Sequence, residues 1–192
     1  MNDISKAFTK IFWGFMLVFL DFKINQFDLL PDFVGYFIIV SALSDLNSFS
    51  AYFKKARTFA IILAILSIPE YFIGEINILE GIVPSTSTIL ILISSSVLTL
   101  IHIAFIFFLL QGCIELANHH QNSTLAKTTK NIQTFYIIIL LAVTILTPFV
   151  LNIPQDLATA IIIVGGIASF VVYIIVLILI WSYRKAFNSI SK

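Results

Sequence analysis

Residues 157–183, LATAIIIVGGIASFVVYIIVLILIWSY, decide the fold: 27 residues run without an Asp, Glu, Lys or Arg. About 20 apolar residues, each rising ~1.5 Å along a helix, suffice to cross the ~30 Å hydrocarbon layer of a bilayer. Five further stretches qualify on the same grounds, 4–22, 31–49, 58–79, 85–110 and 134–151. Composition points the same way, with 59% hydrophobic and 11% charged residues and a mean hydropathy of +1.04. A soluble domain carries about a quarter charged residues, and this chain has too little polar surface to face water all round. The expectation is an all-α integral membrane bundle of six transmembrane helices, one domain over residues 1–192, with the lipid bilayer as its first partner. The first two stretches have the shortest uninterrupted apolar cores, so a tilted or partly re-entrant pair is the alternative there.

Charge sets the expected direction. With the N-terminus inside, Lys6, Lys10, Lys54, Lys55, Arg57, Lys127, Lys130, Arg184, Lys185 and Lys192 fall on cytoplasmic segments and Lys23 alone falls outside. Short loops rich in Lys and Arg stay in the cytoplasm, so both termini are expected there. Trp13, Tyr136, Trp181 and Tyr183 fall near the cytoplasmic interface, where amphipathic rings settle. The abundance of Ile and Phe fits AT-rich codon usage, hence a bacterial cytoplasmic membrane. Lys6 and Lys10 before the apolar run 11–20 could be mistaken for a signal peptide. However, Asp21-Phe22-Lys23 follows with no small-x-small cleavage pattern, so the run is expected to remain as the first helix. The net charge of +1 offers nucleic acid no basic field, and one cysteine, Cys113, makes no internal disulfide.

Several polar residues in apolar surroundings need a reason. The loop 21–32 holds Asp21, Asp28 and Asp32, a candidate outer-loop site for a small solute or cation, since hard cations take oxygen ligands. Its plainer reading makes Asp28 a helix N-cap and Asp32 a favourable charge at a helix N-terminus. Glu70 follows Pro69 inside the third stretch, flanking a face of Ala60, Ala64, Ser67, Tyr71 and Gly74. An ionisable group at membrane depth points to a proton, cation or amine site, or to a carboxyl held neutral or within reach of water. In the fourth stretch Thr88, Ser95, Thr99, His102 and Cys113 share one face. Lipid offers that stripe no partners, so it is expected to turn toward other helices or a cavity. Glu70, Ser95, Thr99 and His102 are the candidate polar cavity. Glu115 and His119 are four apart beside His120, but no third convincing ligand completes a metal site. Gly165, Gly166 and Ser169, like Thr144, Thr147 and Pro148, read as architecture: close helix packing in the sixth stretch and a bend in the fifth.

Residues 20–24, LDFKI, and 27–36, FDLLPDFVGY, resemble a pattern in uncharacterised small polytopic membrane proteins of Bacillus-type bacteria. The resemblance covers about a tenth of the chain and implies a location without an activity. Within it, Gly35 lacks a side chain and would let another backbone approach the second helix.

No nucleophile–base motif, zinc motif or paired acidic motif of an intramembrane hydrolase is present, so no enzyme, catalytic residue or cofactor is expected. Size, six helices and inward termini look like the substrate-binding components of energy-coupling-factor importers, a likeness of architecture only. The expected function is binding or transport of a small solute or ion, alone or with other membrane subunits. The alternative is a membrane scaffold or regulatory subunit.

Overall fold

The computed structural model describes residues 3–19, 23–24, 27–28, 32–70 and 86–189. It is helical apart from a two-residue antiparallel pair, Lys23–Ile24 with Phe27–Asp28. Six α-helices follow in order: α1 Asp3–Phe19, α2 Asp32–Leu46, α3 Ala51–Glu70, α4 Thr86–His119, α5 Ser123–Leu146 and α6 Gln155–Ser189. Among the described residues three segments are long and apolar enough to cross a membrane: Ile93–His119, Ser123–Asn152 and Gln155–Asn188.

Helix boundaries follow their caps more than the edges of the apolar runs. Ser50 starts α3, its Oγ accepting the Tyr52 N–H at 3.0 Å, so α3 begins seven residues before the expected 58. Asn122 starts α5 in the same way, its Oδ1 accepting the Leu125 N–H at 3.0 Å. Gln121, with a φ of 57°, reverses the chain directly before it. α5 therefore begins eleven residues before the expected 134, and α4 runs nine residues past 110. The charged residues of these extra turns had excluded them from any apolar window. α5 stops at Leu146 and tightens into a 3-10 turn, Thr147–Asn152, because Pro148 has no N–H to continue the ladder. Asp156 lies within the first turn of α6 and not at its cap.

Each helix packs on its two neighbours in sequence, and α6 returns to α1, so the six form a closed ring of antiparallel helices. Contacts at one end fix the directions. Lys10 meets Asp45 at 2.9 Å, the Ser50 hydroxyl donates to Glu115 at 2.5 Å, and that of Ser5 donates to the Arg184 carbonyl at 3.3 Å. This end, where α1 begins and α6 finishes, also carries Lys6, Lys54, Lys55, Arg57, Lys127, Lys130 and Lys185.

The half of the ring near the chain ends is filled. Phe8 of α1 stacks on Tyr183 at 5.1 Å and Phe187 at 6.3 Å, both of α6. Phe105 of α4 reaches across to Phe15 of α1 and Tyr36 of α2, at 5.7 and 6.3 Å between ring centres. A buried polar knot joins three helices: the Tyr183 hydroxyl donates to the Cys113 carbonyl at 3.0 Å and lies 2.7 Å from Thr129 Oγ1. Thr129 Oγ1 also lies 2.8 Å from the Leu125 carbonyl, so the two hydroxyl protons of Tyr183 and Thr129 serve three contacts. Tyr136 and Tyr183 are therefore core residues, 2% and 0% exposed, and not the interfacial rings expected. Burying their hydroxyls is tolerable because each finds a partner.

Two glycines set the α1–α2 distance. A Cβ at Gly35 would lie 2.6 Å from the Gly14 carbonyl oxygen, and one at Gly14 would lie 2.8 Å from the Gly35 oxygen. The backbones touch there, as Gly35 led one to expect. The small residues of α6 do otherwise: a Cβ at Gly165 would make only ordinary contact with Val143, and one at Gly166 would meet nothing within 4 Å. Among the described residues Gly166 thus makes no close helix contact, and Gly165 meets α5 only at ordinary van der Waals distance.

Candidate functional site

The other half of the ring is hollow. A cavity of about 320 Å³ is lined by Asp32 and Tyr36 of α2, Leu63 and Ser67 of α3, and Ser95, Ser96, Leu98, Thr99 and His102 of α4. Leu140, Val143 and Thr144 of α5, Thr147 beyond it, and Ser169 of α6 complete the wall. Five of the six helices contribute, and ten of these fourteen residues are polar.

Helical spacing explains each contribution. Ser95, Thr99 and His102 follow one another at four and three residues on α4, Asp32 and Tyr36 at four on α2, and Leu140, Val143 and Thr147 at three and four on α5. Such intervals place side chains on one face. On α3 the face of Ala60, Ala64 and Ser67 is buried at 0%, 0% and 7% exposure and turns inward. Ser67 is its polar tip.

The position of Asp32 follows from the shortness of α2. α2 has 15 residues and α4 has 34, yet both are anchored at the end holding the chain ends. Climbing ~1.5 Å per residue, Asp32 stands about 21 Å above the last residue of α2. The same climb along α4 from Glu115 reaches Ile101, next to His102. The carboxylate is therefore about level with the middle of α4, not at the outer rim where a loop residue would lie. The Tyr173 hydroxyl donates to the Phe15 carbonyl at 2.7 Å.

His102 forms part of the wall with its ring tethered. Its Nδ1 lies 3.2 Å from the Tyr136 hydroxyl, and its Nε2 is buried with no hydrogen-bond partner among the described residues. If the imidazole donated from Nδ1, both the Tyr136 proton and Nε2 would be left without partners. Donation from Tyr136 to Nδ1 leaves only the proton on Nε2, which is the less costly arrangement.

The residues expected from the sequence to form sites are divided as follows. Ser95, Thr99 and His102 stand together in the cavity wall. Asp32, grouped by sequence with the outer loop, joins them. Asp21 lies outside the described residues. Asp28 pairs in register with Lys23. Glu70 is the last described residue of α3, and its side chain lies outside the described set, as does that of Thr88. Cys113 is buried in the filled half and lends the site nothing.

At the opposite end, Glu115 is held by Ser50. His120 Nδ1 sits 3.0 Å from the Leu116 carbonyl, with its ring edge-on to Phe187 at 4.9 Å. Among the described residues no three or more His, Cys, Asp or Glu gather as a metal site would require.

Tyr36, Ser67, Thr144, Thr147 and Ser169 were not expected in the site. Thr144 and Thr147, three apart beside Pro148, carried a usable signal: two hydroxyls on one face of an otherwise apolar helix. Comparison of the chain with family models, curated proteins and solved structures finds no match.

Proposed function

We propose that this chain is a six-span protein of a bacterial cytoplasmic membrane, both termini cytoplasmic, that binds a small polar solute in the cavity of its outer half. The observation that carries this reading is the carboxylate of Asp32, about mid-height in the bundle, facing a cavity with seven serine and threonine residues. In lipid an ionisable group costs at least about 2.5 kcal/mol at mid-depth, and such residues face water-filled or ligand-filled interiors. A volume of about 320 Å³ is at the lower end of small-molecule sites. The outward-facing side chains Ile138, Ile145, Val164, Ile167 and Ile178 are each more than half exposed, which suits contact with lipid tails. Clustering of basic residues at the end with the chain termini supports the orientation. The solute is carried across, or presented to another membrane subunit.

A scaffold or regulatory role has one observation on its side, the open Gly166 on the outside of α6. A dry, filled interior would make that reading the better one.

Water access tests the proposal. In a Cys113→Ser background reconstituted in lipid nanodiscs, Thr99→Cys is expected to react with a small charged methanethiosulfonate at least tenfold faster than Val97→Cys. Val97 is 50% exposed on the outside of α4, where the proposal puts lipid. Equal rates at the two positions would remove the solute-binding reading.

A further inference from the structure

Where α6 closes on α1, two cations stand without a counter-charge. Among the described residues the three carboxylates of this end are already engaged: Asp3 with Lys6, Asp45 with Lys10 and Glu115 with the Ser50 hydroxyl. Arg184 and Lys185 of α6 make no ion pair among those residues. Arg184 lies over the Trp181 ring, its Cζ 3.9 Å from the ring centre. A guanidinium laid on an indole face keeps its in-plane N–H donors for another partner. The pair is held in place, since the Arg184 carbonyl accepts the Ser5 proton and Phe12 of α1 braces Trp181 at 4.8 Å.

Depth and surface indicate what meets these cations. From Asp156, in the first turn of α6, to Arg184 the helix climbs about 42 Å at ~1.5 Å per residue. A bilayer with its headgroup regions measures about 40–45 Å. With Asp156 among the headgroups of one leaflet, Arg184 and Lys185 stand among those of the other. Trp181 lies one turn deeper, at the interface that indoles favour. An apolar track leads up to it: Val164, Ile167, Val171 and Ile178 are 66%, 60%, 47% and 61% exposed. Their intervals of three, four and seven residues, continued by three to Trp181 and four to Lys185, keep all six on one face.

An acyl chain fits such a track, and a phosphate fits the donors at its end, since planar guanidinium groups suit phosphate oxygens. A zwitterionic lipid would bring an ammonium of its own beside two unpaired cations, whereas an anionic lipid does not. We infer that this face of α6 holds an anionic phospholipid of the cytoplasmic leaflet, its phosphate on Arg184 and Lys185 and one acyl chain along the stripe below Trp181. The inference rests on the membrane placement proposed above and not on the cavity.

Trp13 and Trp181 are the two tryptophans of the chain, so after Trp13→Phe the indole fluorescence reports on Trp181 alone. The full chain with that substitution is placed in phosphatidylcholine nanodiscs. These are doped with phosphatidylglycerol or, separately, phosphatidylcholine brominated near the top of the acyl chain, where bromine quenches an adjacent indole. Quenching against mole fraction gives the relative association of each lipid with Trp181. Phosphatidylglycerol is expected to associate at least fivefold more strongly, the contribution of about one Lys or Arg at an anionic surface. The exposed Lys185→Gln alone is expected to lower that ratio at least twofold, and Arg184→Gln with Lys185→Gln to bring it near one. Lys127→Gln with Lys130→Gln, at the same end but on α5, is expected to leave the ratio unchanged.

Equal association of the two lipids would overturn the inference and leave the membrane placement standing. An equal fall in the Lys127 and Lys130 variant would also overturn it, because the whole basic end would then attract the lipid. If inorganic phosphate relieved the quenching as well as unlabelled phosphatidylglycerol does, a soluble anion would replace the lipid. Absence of quenching by either lipid would overturn the inference together with the placement of α6 in the membrane.

Discussion

Gly35→Leu is expected to leave no folded, monodisperse protein on size exclusion in detergent, and Gly35→Ala to lower the thermal midpoint clearly. At this position a Cβ would sit 2.6 Å from the Gly14 carbonyl oxygen, 2.6 Å from Val18 Cγ2 and 3.1 Å from the Val18 nitrogen. Two of these three neighbours are backbone atoms, which cannot rotate aside; the helices must separate. Overpacking by a methyl group costs about 1–3 kcal/mol, and leucine adds three more carbons to the same gap. Helix association in lipid depends on such close packing, because the tails are as apolar as the side chains and supply no hydrophobic drive. Gly166→Ala is the control. With nothing within 4 Å of its Cβ, it is expected to change stability by no more than about 0.5 kcal/mol.

Phe8→Ala is the second large effect. Phe8 is 0% exposed and stacks on Tyr183 and Phe187, so it lies at the seam where α6 closes on α1. Phe12, Phe15 and Phe19 continue the seam against Trp181, Tyr173 and Phe170. Removing a buried phenyl ring costs about 3–5 kcal/mol through lost contacts and the remaining void. Opening the seam also exposes the Tyr183–Cys113 hydrogen bond to competition. The expected result is a large drop in thermal midpoint, with partial recovery in Phe8→Leu, which refills much of the volume. A Phe8→Ala protein as stable as wild type would mean that the ring is not closed at α1 and α6.

The two seams differ in how readable they were. Phe8, Phe12, Phe15 and Phe19 recur at four, three and four residues, an inward stripe that periodicity alone can show. Gly35 stood out as a residue without a side chain, but only the structure supplies Gly14 as its partner. The six helices and their order were legible from apolar runs. Their inner ends were not, because α3 and α5 continue through Lys54, Lys55, Arg57, Lys127 and Lys130 at the water-facing end of the ring. There Ser50 and Asn122 set the boundaries.

The site was legible one helix at a time. The spacing of Ser95, Thr99 and His102 put them on one face of α4. Asp32 could not be joined to them from sequence, because nothing local says that α2 is short enough to lower its first residue to the height of His102. Thr144, Thr147 and Ser169 carry no charge and looked like packing. What brings them together is the packing of five helices around one space, a property of the ring and not of any segment.

The proposed function requires the polar cavity to open on the membrane face opposite the start of α1, and sidedness of labelling tests that requirement. In intact cells carrying Cys113→Ser, a membrane-impermeant maleimide is applied to Thr147→Cys, in the cavity wall, and to Ser123→Cys, at the first residue of α5 near the chain ends. The expected result is labelling of Thr147→Cys in intact cells and of Ser123→Cys only after permeabilisation. Labelling of Ser123→Cys in intact cells, with Thr147→Cys protected, would contradict it.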